Sequence, residues 1–249
     1  MVEPMIAPAK LFEVGRRELV SFVGAGGKTT LLLGLGVELA SAASVVMTTT
    51  TKMGADQLPD WATVCLTDAA VNDALGGDEP VFVVADVVGE KVMGVTPEYA
   101  DDLFAAEGVD YLLVEADGAR RRSLKAPAAH EPVIPKTTTI VVAIAGLDAI
   151  GGRIADVTHR PERVAALTGR TLDDLVSPTD IATVLSHPDG GLRNVPAGSR
   201  VVVALTQVGA EPDPVAASEI VSQLQGVSRI DRVVSFAIDP IWHGPGSGP

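Results

Sequence analysis

The segment Gly24-Ala25-Gly26-Gly27-Lys28-Thr29-Thr30 stands directly behind the apolar run Leu19-Val20-Ser21-Phe22-Val23 and ahead of an apolar helical pattern from Leu31. These residue types at this spacing suit phosphate binding. Glycines let the backbone curl so that successive N–H groups face an anion, and the start of the following helix adds its positive dipole end. Gly24, Ala25, Gly26 and Gly27 would form the cradle, Lys28 would reach the β- and γ-phosphates, Thr29 would ligate Mg2+ and Thr30 would donate to the α-phosphate. A phosphate loop of the usual spacing needs glycine at position 22, where Phe22 stands. The segment is therefore a shortened form of that loop, or a tight strand-to-helix turn with a solvated lysine.

Three further clusters bear on the same chemistry. Tyr111-Leu112-Leu113-Val114 ends in Glu115-Ala116-Asp117-Gly118, an apolar strand finishing in carboxylates that can hold Mg2+ or orient an attacking water. Glu115 and Asp117 would share one side of that strand if it runs far enough. Thr48-Thr49-Thr50-Thr51-Lys52 follows another apolar run, where hydroxyls could sense a γ-phosphate or simply favour extended chain. Arg120-Arg121-Arg122 and Lys125 then make a basic stretch that leads to His130-Glu131 between prolines. It could hold phosphate or a second small anion, with Arg120 supplying an arginine finger, or it could be a solvated loop. His130, His159, His187 and His243 have no ligand spacing on a common element, so a histidine metal site is not expected.

The elements that must position these groups follow from the apolar pattern. Leu19–Val23, Ser44–Met47, Thr63–Leu66, Val81–Ala85, Tyr111–Val114, Thr139–Ala145, Arg200–Leu205 and Arg232–Ile238 are short, mostly continuous runs rich in valine. Such runs suit parallel strands buried on both faces. Helical patterns over Lys28–Ala40, Asp68–Leu75, Pro97–Glu107 and Pro214–Leu224 alternate with them, which predicts a doubly wound α/β sheet. Gly34 and Gly36 inside the first helix would be offset by close packing on the sheet. Lys91–Val95 reads as an edge strand or hairpin arm. Residues 160–198 read as a small helical and loop insertion, and 244–249 as a disordered tail. The whole chain is expected to form one domain.

Composition narrows the class. The 249 residues are 47% hydrophobic, with no run long enough for a membrane span and no basic and apolar leader at the start. A net charge of −13 argues against a nonspecific nucleic-acid binder. Cys65 is the single cysteine, which leaves no internal disulfide and suits a small buried apolar group. A cytoplasmic location is expected.

Val23 to Leu31, Thr48–Lys52 and the block from Glu115-Ala116-Asp117-Gly118 through Lys125-Ala126-Pro127 to His130-Glu131-Pro132-Val133-Ile134-Pro135 resemble the YqeC family of selenium-dependent hydroxylase accessory proteins. Gly146-Leu147-Asp148 and His159-Arg160-Pro161-Glu162 are similar to it as well, so the resemblance spans roughly residues 12 to 240. It implies a three-layer P-loop NTPase-like fold and a part in maturing molybdenum-cofactor hydroxylases. By position it implies nucleotide contacts from Gly24, Gly26, Gly27, Lys28 and Thr29, with Glu115 and Asp117 on the metal side. The shortened loop itself is similar to that of Mur ligases, which use ATP. Thr206-Gln207-Val208-Gly209 stands where related GTPases carry Asn-Lys-x-Asp, and no carboxylate at Gly209 can pair with guanine.

The expected activity is Mg2+-dependent binding and slow hydrolysis of ATP or another nucleoside triphosphate, in support of a molybdenum hydroxylase client. The competing expectations are an ATP-dependent ligase or nucleotidyl- or phosphotransferase acting on a small anion, and a noncatalytic nucleotide switch.

Overall fold

A computed structural model describes residues 7–238 apart from 67, 76, 78 and 209–212. Gly209, His243 and the tail expected at 244–249 lie outside the described residues. In chain order the elements are α1 (Pro8–Leu11), β1 (Glu18–Gly24), α2 (Lys28–Ala40), β2 (Val45–Thr49), β3 (Met53–Gly54), β4 (Thr63–Cys65), α3 (Asp68–Ala74), β5 (Val81–Val83), β6 (Asp86–Val88), β7 (Lys91–Met93), α4 (Pro97–Ala105) and β8 (Tyr111–Glu115). There follow β9 (Leu124–Lys125), β10 (Ile140–Gly146), α5 (Ile154–Val157), β11 (Thr158–His159), α6 (Pro161–Thr168), α7 (Pro178–Ser186), β12 (Arg200–Val208), α8 (Pro214–Leu224) and β13 (Arg232–Ile238).

Eight strands form one sheet in the order β13-β12-β10-β1-β8-β2-β5-β4, and each neighbouring pair in it is parallel. Parallel strands need crossovers, and the helices supply them on both faces. Alternation along β1 sorts the faces. Leu19 and Val23 join one apolar cluster with residues of α4, α6, α7 and α8, among them Leu103, Val164, Ile181 and Ile220. Val20 and Phe22 join the other, with Leu31, Leu32 and Leu35 of α2 and with Phe12, whose ring meets Phe22 edge-on at 6.4 Å. The result is a three-layer α/β fold. Burying each such Leu or Phe contributes about 1.5–3 kcal/mol, so α2 is held to the sheet chiefly by its Leu31, Leu32 and Leu35.

Local chemistry sets the helix starts. Thr96 caps α4 by accepting from the Tyr99 N–H, Ser177 caps α7 by accepting from Asp180 N–H, and Asp213 caps α8 by accepting from Val215 N–H. Proline stands in the first turn of each, where a missing N–H removes no helical bond. Lys91–Met93 is a hairpin arm, as expected, pairing antiparallel with β6, and is the middle strand of a separate sheet, β3-β7-β6. Within the stretch expected as an insertion, α6 and α7 place Val164, Ile181 and Val184 in the cluster beneath the sheet. Among the described residues no helix is long and apolar enough to cross a membrane.

The topology places the site. From β1 the chain passes through α2 to β2 on one side; after β8 it crosses to β10 on the other side of β1. Connections that diverge in this way leave a crevice at the carboxyl ends of the central strands. Gly24, Glu115 and Gly146 end those strands.

The two glycines of α2 differ in their surroundings. A Cβ on Gly36 would lie 2.6 Å from Met47 Sδ, whereas one on Gly34 would meet nothing within 4 Å beyond the helix itself. Only Gly36 is required for close packing. Gly34→Ala is expected to raise stability by about 0.5–1 kcal/mol through helix propensity and a less flexible unfolded chain, and Gly36→Ala to give no such gain, both measured by denaturant unfolding.

Candidate functional site

The glycine turn is shaped by what surrounds it. Gly24, Gly26 and Gly27 have φ of 92°, 97° and 104°. A Cβ on Gly24 would sit 2.3 Å from Ile144 O, and one on Gly26 2.4 Å from Gly146 N, so the backbone of β10 leaves room for hydrogen alone at both positions. Ala25 N–H donates to Ile144 O at 3.0 Å, and Thr206 Oγ1 donates to Gly26 O at 2.6 Å. Leu31 N–H closes the first helical turn onto Gly27 O at 2.9 Å. The N–H groups of Lys28, Thr29 and Thr30 consequently begin α2 without intrahelical acceptors, as a phosphate cradle requires.

Lys28, Thr29, Glu115 and Asp117 converge at this turn. Lys28 is 4% exposed; its Nζ donates to Gly24 O at 2.7 Å and lies 3.3 Å from Asp117 Oδ1 and 3.9 Å from Glu115 Oε1. Thr29 Oγ1 donates to Glu115 Oε2 at 2.7 Å and is approached by Gln57 Nε2 at 3.4 Å. Asp117 Oδ2 accepts from Gly24 N–H at 3.1 Å. Its Oδ1 is near enough to Lys28 for an ion pair but not aligned for a hydrogen bond, and so has no hydrogen-bond partner. β8 ends at Glu115, so Asp117 reaches the cluster from the loop beyond the strand rather than from its alternation. Burial pushes the Glu115 carboxyl above its ordinary range, with Lys28 and the Thr29 hydroxyl pulling partly back.

A second buried layer lies behind Asp117. Lys125 Nζ contacts Asp117 Oδ2 at 2.9 Å, Glu131 Oε2 at 2.8 Å and Gly118 O at 2.6 Å. Arg160 grips Glu131 with two bonds, 2.6 and 3.0 Å. Burial alone would raise the Glu131 carboxyl, but the hydrogen bonds and charges of Arg160 and Lys125 outweigh it and hold it at about 2. His159 pairs with Lys125 in register across β9 and β11. Desolvation first, then Arg160 and Lys125, with Arg120 adding a smaller push, lower its pKa to about 4 against the pull of Glu131.

The threonine hydroxyls find carbonyl partners, and the arginines of the basic stretch divide between paired and exposed. Thr48 Oγ1 donates to Val83 O and Thr49 Oγ1 to Glu115 O, tying β2 to the ends of β5 and β8, and Thr50 Oγ1 donates to Val133 O in the loop before β10. Lys52 is exposed. Arg121 pairs with Asp56 at 2.5 Å, Arg122 donates to Asp156 O, and Arg120 is exposed, with Arg120 and Arg121 both at left-handed φ (50° and 57°). Thr206 braces the glycine turn and belongs to β12, which extends to Val208. Among the described residues no group of three or more His, Cys, Asp or Glu side chains is placed to hold a metal by itself. Residue spacing does not signal the roles of Thr206, Gln57 or the Lys125–Glu131–Arg160 chain.

The YqeC protein family profile matches residues 20–162. The chain is 35% identical over 230 residues to a protein of Escherichia coli K12 named "Uncharacterized protein YqeC", covering 90% of each chain. It is 34% identical over 140 residues to "CMP-5'-(3-aminopropyl)phosphonate hydroxylase" of Streptomyces rubellomurinus, a match spanning 54% of this chain and 29% of that protein. No solved structure matches the chain significantly.

The buried layer makes the fold sensitive to acid in two windows. His159 holds a proton less readily when folded, at about 4 against 6.5, so its contribution is complete above pH 6.5 and fades as pH falls toward 4. Glu131 gives a second loss as pH falls from 4.5 toward 2. Denaturant midpoints measured from pH 7 to 3 should show the first loss at roughly 1–2 kcal/mol after allowance for solvent screening. His159→Gln should remove that first loss and keep the second. A second prediction concerns the turn: Gly24→Ala should destabilise the protein by at least about 1–3 kcal/mol through its φ alone, read by the same unfolding measurement.

Proposed function

The chain belongs to the YqeC family, and on that footing we propose that it is a cytoplasmic, Mg2+-dependent nucleoside-triphosphate-binding protein. In this reading it is a slow NTPase that serves as an accessory factor in maturing selenium-dependent molybdenum hydroxylases. The observation that carries the nucleotide reading is the convergence of Lys28, Thr29, Glu115 and Asp117 on a left-handed glycine turn at the start of α2.

The residues fit Mg2+. Thr29 Oγ1, Glu115 Oε2 and the Asp117 Oδ1 that lacks a hydrogen-bond partner are hard oxygen donors, and phosphate oxygens and waters would complete the shell. Magnesium would neutralise charge on the β- and γ-phosphate oxygens. Lys28 would leave Gly24 O to meet a phosphate oxygen, and the N–H groups at the start of α2 would cradle the same anion. Glu115, with its raised proton affinity, is placed to give up a proton as the cation binds or to take one from an attacking water. Arg120, exposed on the bent loop after β8, would act as the arginine finger.

A second reading is group transfer to a small anion. It draws on that arginine loop and on the relative whose printed name describes a nucleotide-linked phosphonate. Phosphate release at full rate without a second small molecule would count against it.

Calorimetry with ATP, GTP and CTP, with and without Mg2+, tests nucleotide binding directly. Lys28→Ala should weaken it roughly 10- to 100-fold, the worth of one charged hydrogen bond; unchanged affinity and turnover would sink the mechanism. Glu115→Gln with Asp117→Asn should abolish Mg2+-dependent phosphate release. Tight binding by the wild-type protein with no release over hours would make it a switch rather than an NTPase.

A further inference from the structure

Lys125 is the most completely enclosed cation of the site, its side chain 0% exposed. An ammonium group has three N–H donors. Lys125 Nζ donates to Gly118 O and forms ion pairs with Asp117 Oδ2 at 2.9 Å and Glu131 Oε2 at 2.8 Å. Its charge is therefore already matched by protein oxygens. Stability is a weak reason for such an arrangement, because apolar residues of similar size commonly replace a buried ion pair at no loss. What the arrangement does is geometric. Asp117 Oδ2 takes both Lys125 and the Gly24 N–H, which fixes the carboxylate plane and leaves Oδ1 turned toward Lys28 without a hydrogen bond. Glu131 anchors Lys125 from the other side and is itself gripped by Arg160, the residue that starts α6.

We propose that Lys125 is a positioning residue, which holds Asp117 through Oδ2 so that Oδ1 stays directed at the cation accompanying a bound nucleotide, with Glu131 and Arg160 as its support. The proposal rests on the nucleotide reading above and deepens it.

The test uses the full chain, ATP and Mn2+ as probes, and two variants. Lys125→Met removes the cation; Lys125→Met with Glu131→Gln removes one charge of each sign and leaves the buried balance unchanged. ATP affinity is measured in EDTA by calorimetry, and Mn2+ affinity for the protein–ATP complex by electron paramagnetic resonance. Removing an outer partner of a metal ligand should lower Mn2+ affinity roughly 10- to 100-fold, while ATP affinity in EDTA, carried by the glycine turn and Lys28, stays within about threefold of wild type. The double variant should show the same split. Unchanged Mn2+ affinity, an equal loss of ATP affinity with and without metal, or failure of both variants to fold would overturn the positioning role. If wild-type protein binds no nucleotide, the nucleotide reading itself falls; if it binds ATP and Mn2+ and the variants do so equally well, only the role of Lys125 falls.

Discussion

A carboxylate with 1% of its surface exposed must be matched by donors, and Asp117 is matched by the backbone of the very turn it is meant to serve. That contact fixes the distance between the end of β8 and the first glycine. Because β1 and β8 are neighbours in parallel register, Phe22 opposite Glu115, the chain beyond each strand emerges at the same level. Gly24 and Asp117 can then meet without any long connection. On the other flank β10 runs so close that neither Gly24 nor Gly26 could carry a side chain. The turn is thus clamped between a carboxylate and a strand, and its curvature follows from both.

This clamp explains how so short a glycine turn holds its curve. Here Ala25 N–H is taken by Ile144 and the Gly26 carbonyl by Thr206, so neighbouring strands do part of that work. The N–H groups at the start of α2 remain, and the helix dipole reinforces them. Phe22, in the place of the missing glycine, is free to be a core residue instead and packs its ring against Phe12.

The strand runs were legible in the sequence because strands buried on both faces are largely apolar: β10 is so throughout, and β1, β8 and β12 each carry an apolar run broken only by Ser21 or by polar residues at the strand ends. The convergence of Lys28, Thr29, Glu115 and Asp117 followed from knowing which strand ends lie together. The separate β3-β7-β6 sheet was less legible, since strands of two or three residues carry too little pattern to fix a partner. The threonine run was open to two readings. A hydroxyl at a strand end suits a ligand and a neighbouring carbonyl equally well; here the hydroxyls donate to the Val83, Glu115 and Val133 carbonyls. The Lys125–Glu131–Arg160 chain joins residues as many as 35 apart whose charges look like a basic loop when read in order.

Glu115 and Asp117 stand two residues apart yet are set up for different tasks. Glu115 has one hydroxyl donor and a lysine at the limit of ion pairing, so burial dominates and raises its hold on a proton. Asp117 has a backbone N–H and a lysine on one oxygen and a second lysine beside the other. A divalent cation arriving between them would change Glu115 most, because that is the group whose charge is least compensated beforehand. Under the proposed reading Glu115 would be the carboxylate whose proton affinity a cation changes, while Asp117 is held by fixed contacts. The division follows from contact: Lys125 touches Asp117 at 2.9 Å and reaches Glu115 only through its charge, so the buried layer sets the two carboxylates apart.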